Sequence, residues 1–107
     1  MSRINKTLGV VIPFYNGSKY IEKALESVFN QSLKADEIIV VNDGSSKEER
    51  VFIQSLHKKL PSKFKLLNQE NKGQGGARNA GVLALNTDFV CFLDQDDQYM
   101  IDHNKIL

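Results

Sequence analysis

Short apolar runs alternate along the chain with longer amphipathic segments. Four runs rich in β-branched or aromatic residues end in polar or Pro-containing loops, which predicts β-strands over residues 8–15, 36–43, 64–69 and 88–94. The centres of these runs are continuously apolar, as in strands that are covered on both faces of a sheet.

Helical periodicity marks the segments between the strands. One apolar face predicts a first helix over residues 18–30, and it consists of Ile21, Leu25, Val28 and Phe29. Ser45, followed three residues later by Glu48, matches a capping box, so a second helix is expected to begin there and to end at Pro61. Its apolar face consists of Phe52, Leu56 and Leu60.

A third helical face is built of small residues, which predicts a helix lying unusually close to its sheet. These residues are Ala77, Ala80, Gly81, Ala84 and Leu85. Glycine disfavours helix interiors, so the glycines around this segment leave the first residue of the helix open.

Strands and helices in strict alternation predict an α/β fold. Right-handed crossovers would give one domain over residues 1–107, with a mainly parallel, Rossmann-like sheet and helices on both faces. The final residues, MIDHNKIL, have the pattern of a further helix that stops early, so we expect a fold truncated after its fourth strand.

Composition narrows the class of protein. With 41% hydrophobic and 25% charged residues the chain is typical of a globular protein, and its scattered lysines and net charge of +1 do not suggest a nucleic-acid partner. The single Cys91 is expected to pack as a small hydrophobe. The apolar stretch at residues 8–12 is too short for a signal peptide, which favours a cytoplasmic location and leaves open attachment to a membrane through sequence outside this chain.

Three carboxylates, Asp94, Asp96 and Asp97, follow the fourth predicted strand. Such crowding is unfavourable unless a cation neutralises the charges, and hard oxygen ligands suit Mn²⁺ or Mg²⁺ with phosphates completing the shell. The alternative is a solvated acidic turn that caps the next helix. A calcium loop of the EF-hand type is excluded, because Tyr99 and Lys105 stand where that loop needs glycine and glutamate.

Polar residues also stand at the ends of the first two predicted strands. Asp43 accepts hydrogen bonds only, so it would select a base with an N–H group, such as uracil, thymine or guanine; the alternative is that it caps the second helix. Pro13 cannot donate within a sheet, so the first strand is expected to end there, ahead of Asn16. Tyr15 would then stack on a base, or else pack on the edge of the core.

The segment NQENKGQGGARNAG is the remaining candidate. Its glycines at 73, 75 and 76 either let the backbone approach a ligand or serve only the loop and helix packing. Arg78, beside Asn79, would pair with the carboxylates or a phosphate, the alternative being an ordinary surface arginine.

Four motifs, VVIPFYN, VVNDGSS, QENKGQGGARNAG and FLDQDD, together resemble the nucleotide-binding half of family 2 glycosyltransferases, which have the GT-A fold. The resemblance implies that the segment of Pro13, Tyr15 and Asn16 holds the base with Asp43. It also implies that Asp94 is an additional ligand, that Asp96 meets the ribose or bridges to it, and that Asp97 ligates the metal. The pattern Q-x-N-x-G-x-x-x-A-R-N-x-G lines the donor pocket in that family, and it is matched by Gln69, Asn71, Gly73, Arg78, Asn79 and Gly81.

Activity follows from the same resemblance. It implies transfer of a sugar from a nucleotide-diphosphate sugar, most simply a UDP-sugar, to a hydroxyl of a glycan or lipid-linked acceptor, with inversion and metal assistance. No catalytic base is assigned in this chain, since the family carries it in the second half of the domain, beyond Leu107. We therefore expect weak donor binding without catalysis, and self-association through an exposed apolar face.

Other nucleotide-binding classes fit less well. An NAD-binding Rossmann domain needs its glycine fingerprint after the first strand, where this chain has PFYNGS. A phosphoacceptor receiver domain would need an acidic pair at that position. The competing hypothesis is a non-catalytic nucleotide-binding or interaction module derived from a glycosyltransferase.

Overall fold

The computed structural model describes residues 6–31 and 35–93. The seven elements follow in the predicted order, and their bounds are β1 Leu8–Phe14, α1 Ile21–Phe29, β2 Glu37–Asp43, α2 Lys47–Lys59, β3 Lys65–Gln69, α3 Gly73–Ala84 and β4 Phe89–Phe92. Each element agrees in type with the sequence prediction. The main difference in length is α1, which begins three residues later than expected because residues 18–20 form a turn.

The four strands form one sheet in the order β3-β2-β1-β4, and every pairing is parallel. β1 is central and buried along its whole length. β2 and β4 lie on its two sides, with Val11 opposite Ile39 in β2 and opposite Phe92 in β4. The α/β fold with a parallel sheet is confirmed.

Alternate side chains of the strands enter separate cores on the two faces of the sheet. Val10, Ile12 and Val40 pack with α1 and α2, whose buried residues include Leu25 and Ile53. The other face is a smaller core made of Val11, Ile39, Val41 and Ala77 of α3. A strand alternates its side chains, so helices on both faces require this continuously apolar pattern.

Close packing of α3 is confirmed at Gly81, which is buried. A Cβ added there would stand 2.9 Å from Cγ2 of Val11 and still closer to Cγ1. The predicted small-residue face is therefore a steric requirement at this position. Cys91 is buried in the larger core as a free thiol, as expected.

The predicted cap of α2 was wrong by one residue. Ser46, not Ser45, is the N-cap, and its side chain accepts a hydrogen bond from the backbone N–H of Glu49 at 3.4 Å. The predicted pair Ser45 and Glu48 has the same three-residue spacing. The sequence alone does not separate the two registers, because both offer a serine followed by a glutamate.

The predicted end of β1 at Pro13 was also wrong, because the strand continues through Phe14. Val11 accepts a hydrogen bond from the N–H of Leu93, so its backbone groups point toward β4, and those of Pro13, two residues later, point the same way. Pro13 nevertheless stands opposite Val41 of β2. Proline is tolerated here because β2 needs no donor from it.

No helix within the described residues is both long enough and apolar enough to cross a lipid bilayer.

Candidate functional site

The carboxyl ends of β1 and β2 meet at one edge of the sheet, and β4 adds its end on the other side of β1. Helices α1 and α2 cover one face and α3 covers the other, so the chain reverses its winding between β1 and β4. Ligands of open parallel sheets bind at such a reversal, beyond the carboxyl ends of the strands. The predicted site residues Tyr15, Asn16 and Asp43 stand at this edge.

Asp43, the last residue of β2, is buried, with only 3% of its surface exposed. Its Oδ1 accepts two hydrogen bonds, from Gln69 Nε2 at 2.9 Å and from the backbone N–H of Lys72 at 2.8 Å. Within the described residues no other donor forms a hydrogen bond with the carboxylate. One oxygen is thus committed to the loop before α3, and Oδ2 is the oxygen left for a ligand.

Asn71 closes the same loop against β2. Its Nδ2 donates to the backbone carbonyl of Asp43 at 3.0 Å. Gly44 follows with φ of 73°, and a Cβ there would stand 2.6 Å from the backbone nitrogen of Asn71. Glycine is therefore required at 44 both by the left-handed backbone and by this contact. The predicted donor-site residue Asn71 is placed beside Asp43.

The loop after β1 carries Tyr15 and Asn16. Tyr15 has 51% of its surface exposed at the carboxyl edge. Asn16 has φ of 49°, an uncommon backbone for a residue with a side chain, although asparagine is among those that adopt it most readily. Its N–H donates to Ser45 Oγ at 3.0 Å, and its Oδ1 accepts from the N–H of Ser46 at 2.9 Å.

The same two loops are joined by a pair of contacts that the sequence did not indicate. Glu49, in the first turn of α2, accepts from the backbone N–H of Ser18 at 2.8 Å and from its hydroxyl at 2.6 Å. A glutamate in the first helical turn is ordinarily assigned to capping. Nothing in the local sequence identifies a partner 31 residues earlier.

At the start of α3, Gly73 has φ of 78°, a left-handed backbone conformation that favours glycine, so the local backbone by itself accounts for glycine at this position. Arg78 is half-buried on this helix, and its guanidinium carbon lies 5.8 Å from the centre of the Phe92 ring in β4. A guanidinium over an aromatic face is held by a cation–π interaction. Arg78 is thus directed toward the end of β4, whereas Asn79 is exposed.

A second polar cluster lies at the ends of β2 and β3, on the α2 face, and was missed by the sequence analysis. Asn42 is buried, donates to Asn68 Oδ1 at 2.9 Å and accepts from the N–H of Ser45. It borders a groove of about 340 Å³ that also contacts Arg50 and Glu70. Since Asn42 follows Val40 with strand alternation, this groove is on the opposite face from the carboxylate of Asp43.

The predicted metal ligands Asp96 and Asp97, and the neighbouring Asp94, lie outside the described residues. Within residues 6–31 and 35–93 no three His, Cys, Asp or Glu side chains are grouped to hold a metal ion. The described part of β4 ends at Phe92, beside Val11 of β1. The acidic motif therefore follows the strand that borders the winding reversal.

Comparison with known sequences gives one family. The family described as "Glycosyl transferase family 2" matches residues 9–106. A relative from Nostoc sp., an uncharacterized glycosyltransferase, is 42% identical over 90 residues. That alignment covers 84% of this chain but only 28% of the relative, so the chain spans less than a third of the length of that protein.

Solved structures show the same fold. S. aureus TarS 1-349 in complex with UDP-GlcNAc superposes with a TM-score of 0.71 at 27% identity, covering 94% of this chain and 29% of TarS 1-349. The mannosyltransferase PcManGT from Pyrobaculum calidifontis, in complex with GDP-Man and Mn2+, gives 0.74 at 21% identity, covering 92% of this chain and 30% of PcManGT. These likenesses confirm the predicted GT-A type of α/β fold.

Proposed function

This chain belongs to glycosyl transferase family 2, and from that membership we propose that it forms the donor-binding part of a glycosyltransferase that uses a nucleotide-diphosphate sugar. A UDP-sugar is the donor we favour. The likeness to TarS 1-349, which was solved with UDP-GlcNAc, supports this choice. The acceptor is proposed to be a hydroxyl of a glycan or of a lipid-linked saccharide.

The observation that carries the proposal is the different environment of the two carboxylate oxygens of Asp43. Oδ1 is held by Gln69 and by the N–H of Lys72, which fixes the orientation of the group. Oδ2 would accept the N–H of a pyrimidine such as uracil, and the ring of Tyr15 would stack on the base. A pre-oriented acceptor binds a complementary donor without a further loss of side-chain freedom.

The acidic motif is proposed to hold Mn²⁺ or Mg²⁺ through Asp97 and Asp96. Carboxylate oxygens suit both ions, and either ion, when bound, would neutralise charge on the departing diphosphate. Arg78 lies close enough to the end of β4 to contribute a further positive charge to a phosphate. We propose inversion by a single displacement, with the acceptor deprotonated by a base beyond Leu107.

Titration with UDP by calorimetry, with and without Mn²⁺, tests this proposal. We expect binding that strengthens when Mn²⁺ is present, because the ion screens the carboxylates from the diphosphate. Asp97→Ala is expected to abolish the metal-dependent part, whereas Asp102→Ala, an acid outside the motif, keeps it. If neither UDP, GDP nor dTDP binds in the presence of Mn²⁺, the donor-binding proposal is wrong and a module without nucleotide binding is the better hypothesis. Binding of GDP or dTDP without UDP would overturn only the choice of a UDP-sugar.

Location and assembly stay predictions from the sequence. We propose that the protein acts in the cytoplasm, at the cytoplasmic face of a membrane if its acceptor is lipid-linked. Self-association is proposed through the edge of the sheet formed by β4.

A further inference from the structure

Four hydrogen bonds tie the loop after β1 to the beginning of α2. We call this set of contacts the clasp, and it consists of Asn16, Ser18, Ser45, Ser46 and Glu49. Two bonds join Asn16 to Ser45 and Ser46, and the other two join Ser18 to Glu49. The clasp therefore flanks both predicted base-binding residues, since Tyr15 directly precedes Asn16 and Asp43 lies two residues before Ser45.

We infer that Glu49 is a positioning residue for nucleotide binding, acting through Ser18 to set Tyr15 opposite Asp43. This inference rests on the proposed function. The side-chain hydrogen bonds of Glu49 within the described residues go to Ser18 and not to Tyr15 or Asp43. Its effect on affinity would come from holding the loop after β1 in the conformation that receives the base.

The geometry of Glu49 is suited to this role. Both of its carboxylate oxygens are used, one for the N–H and one for the hydroxyl of Ser18, so Ser18 is fixed in position and in direction. Bonds to an ionised acceptor are about twice as strong as neutral ones. The neutral hydrogen bonds of Asn16 join the loop to Ser45 and Ser46. They do not restrain Ser18, which is held by Glu49 alone among the members of the clasp.

Ser18 lies in the turn that precedes α1. The residues around it form a turn in which the N–H groups of Tyr20 and Ile21 both reach the carbonyl of Gly17. With that turn anchored to α2, the segment from Phe14 to Gly17 is restrained at both ends: Phe14 is buried in β1 and Ser18 is held by Glu49. A loop ordered before the ligand arrives loses less entropy on binding.

The chain contains a matched control for Glu49. Glu48 lies in the same first turn of α2, so both residues interact similarly with the positive end of the helix dipole. Glu48 is exposed, and among the described residues nothing forms a hydrogen bond or ion pair with it. A general role in charge or helix stability would appear equally in Glu48→Ala and Glu49→Ala.

The first experiment compares UDP affinity, in the presence of Mn²⁺, with the midpoint of thermal unfolding. Glu49→Ala is expected to raise the Kd for UDP about five- to tenfold, because the loop must be ordered at the expense of binding. Glu48→Ala should leave the Kd for UDP unchanged, although its midpoint of thermal unfolding should be similar to that of Glu49→Ala. Glu49→Gln, which keeps an acceptor for the N–H of Ser18, should recover part of the affinity.

A second experiment needs no ligand. Hydrogen exchange at the amide of Ser18 is expected to be slow in the natural chain and in Glu48→Ala, and fast in Glu49→Ala. Ser18→Ala removes only the hydroxyl bond to Glu49, so it should weaken UDP binding in the natural background. It should add nothing to Glu49→Ala, because that change has already removed the same bond.

The outcomes separate two failures. If the natural chain binds UDP and Glu49→Ala binds it equally well, the positioning role is overturned while the proposed function stands. If the natural chain binds no nucleotide, the proposed function and the positioning role both fall, even where the exchange data show the clasp to be formed.

Discussion

Asp43 gives its two carboxylate oxygens different neighbours. Oδ1 faces Gln69 and Lys72, which belong to β3 and to the loop before α3, so the residue ties three segments together. Any substitution that removes Oδ1 would loosen that loop as well as the base contact. A useful test must therefore change Oδ2 alone.

Asp43→Asn is such a change, because its remaining oxygen can still accept from Gln69 and Lys72 while an NH₂ group replaces Oδ2. We expect UDP affinity to fall about tenfold, since two donors, the amide and the N–H of uracil, would then face each other. The ring nitrogen of cytosine accepts a hydrogen bond where uracil donates one, so the affinity for CDP should fall less than that for UDP. The ratio of UDP to CDP affinity, measured by calorimetry, should therefore fall. An unchanged ratio would contradict base recognition by Asp43.

At the residue scale the sequence predicted which side chains lie at the site but not which of them are hydrogen-bonded to each other. Asp43 and Tyr15 were selected because parallel strands bring their carboxyl ends together, and that reasoning needs only the order of elements. Asn71 was selected only through the family resemblance. The bond between Ser18 and Glu49 spans 31 positions and depends on the angle between two loops. No local pattern encodes such an angle.

Helix α3 differs from α1 and α2 because its contact with the sheet is made by small residues. Gly81 sits against Val11, whereas outside the helix itself no atom of the described residues lies within 4 Å of a Cβ added at Gly75, in the first turn of the same helix. The two glycines therefore have different reasons to be glycine. The sequence predicted close packing here because small residues recur on one helical face, although it could not say which of them makes the contact.

Alanine substitution separates the two positions. Gly81→Ala should destabilise the protein by about 1–3 kcal/mol, because the new methyl group overlaps Val11, whose branched side chain is stiff. Gly75→Ala should stabilise it by about 0.5–1 kcal/mol through helix propensity alone. Urea unfolding of both variants measures the difference, and equal effects would contradict the described packing.

The starts of β1 and β4 are joined by Asp88, which accepts from the backbone N–H and the hydroxyl of Thr7. These hydrogen bonds, with the backbone contact foremost, hold the pKa of Asp88 below its ordinary value. A lowered pKa in the folded state stabilises the fold fully above the unfolded-state value, and the contribution is lost as the pH falls through the folded-state value.

Acid titration of stability tests this contact. The difference in unfolding free energy between the natural chain and Asp88→Asn should be constant near neutrality and shrink as the pH drops below about 3.9, the usual aspartate value. Denaturant unfolding at a series of pH values provides the measurement. A difference that grows toward low pH would have the wrong sign.

At the scale of the whole described fold, residues 6–31 and 35–93, the two edges of the sheet are unlike. The β3 edge carries Lys65, which pairs with Glu37 at 3.6 Å, and such charge protects an edge from pairing with another chain. The β4 edge instead consists of Phe89, Val90, Cys91 and Phe92, and both phenylalanines are close to half exposed. Leu83 of α3 is another exposed apolar residue, at 78%.

We expect the chain to self-associate through the β4 edge. Light scattering after size exclusion should show a mass that rises toward a dimer with concentration. Phe89→Lys should shift the protein to monomer by placing a charge on the edge, whereas Val51→Lys, which replaces an equally exposed apolar residue on α2, should not. A monomer at all concentrations would contradict this expectation.

The contact between Thr7 and Asp88 joins residues 81 positions apart, and this separation bears on synthesis. During translation β1, β2 and β3 emerge first and are able to pair, while the position beside β1 stays vacant until residues 89–92 leave the ribosome. Pairing between distant segments is slow and leaves a growing chain open to aggregation. Until residues 89–92 emerge, the edge of β1 that later pairs with β4 is unpaired in the nascent protein. A chaperone would bind the chain at this edge, and a protease would cleave it there, most readily during this interval.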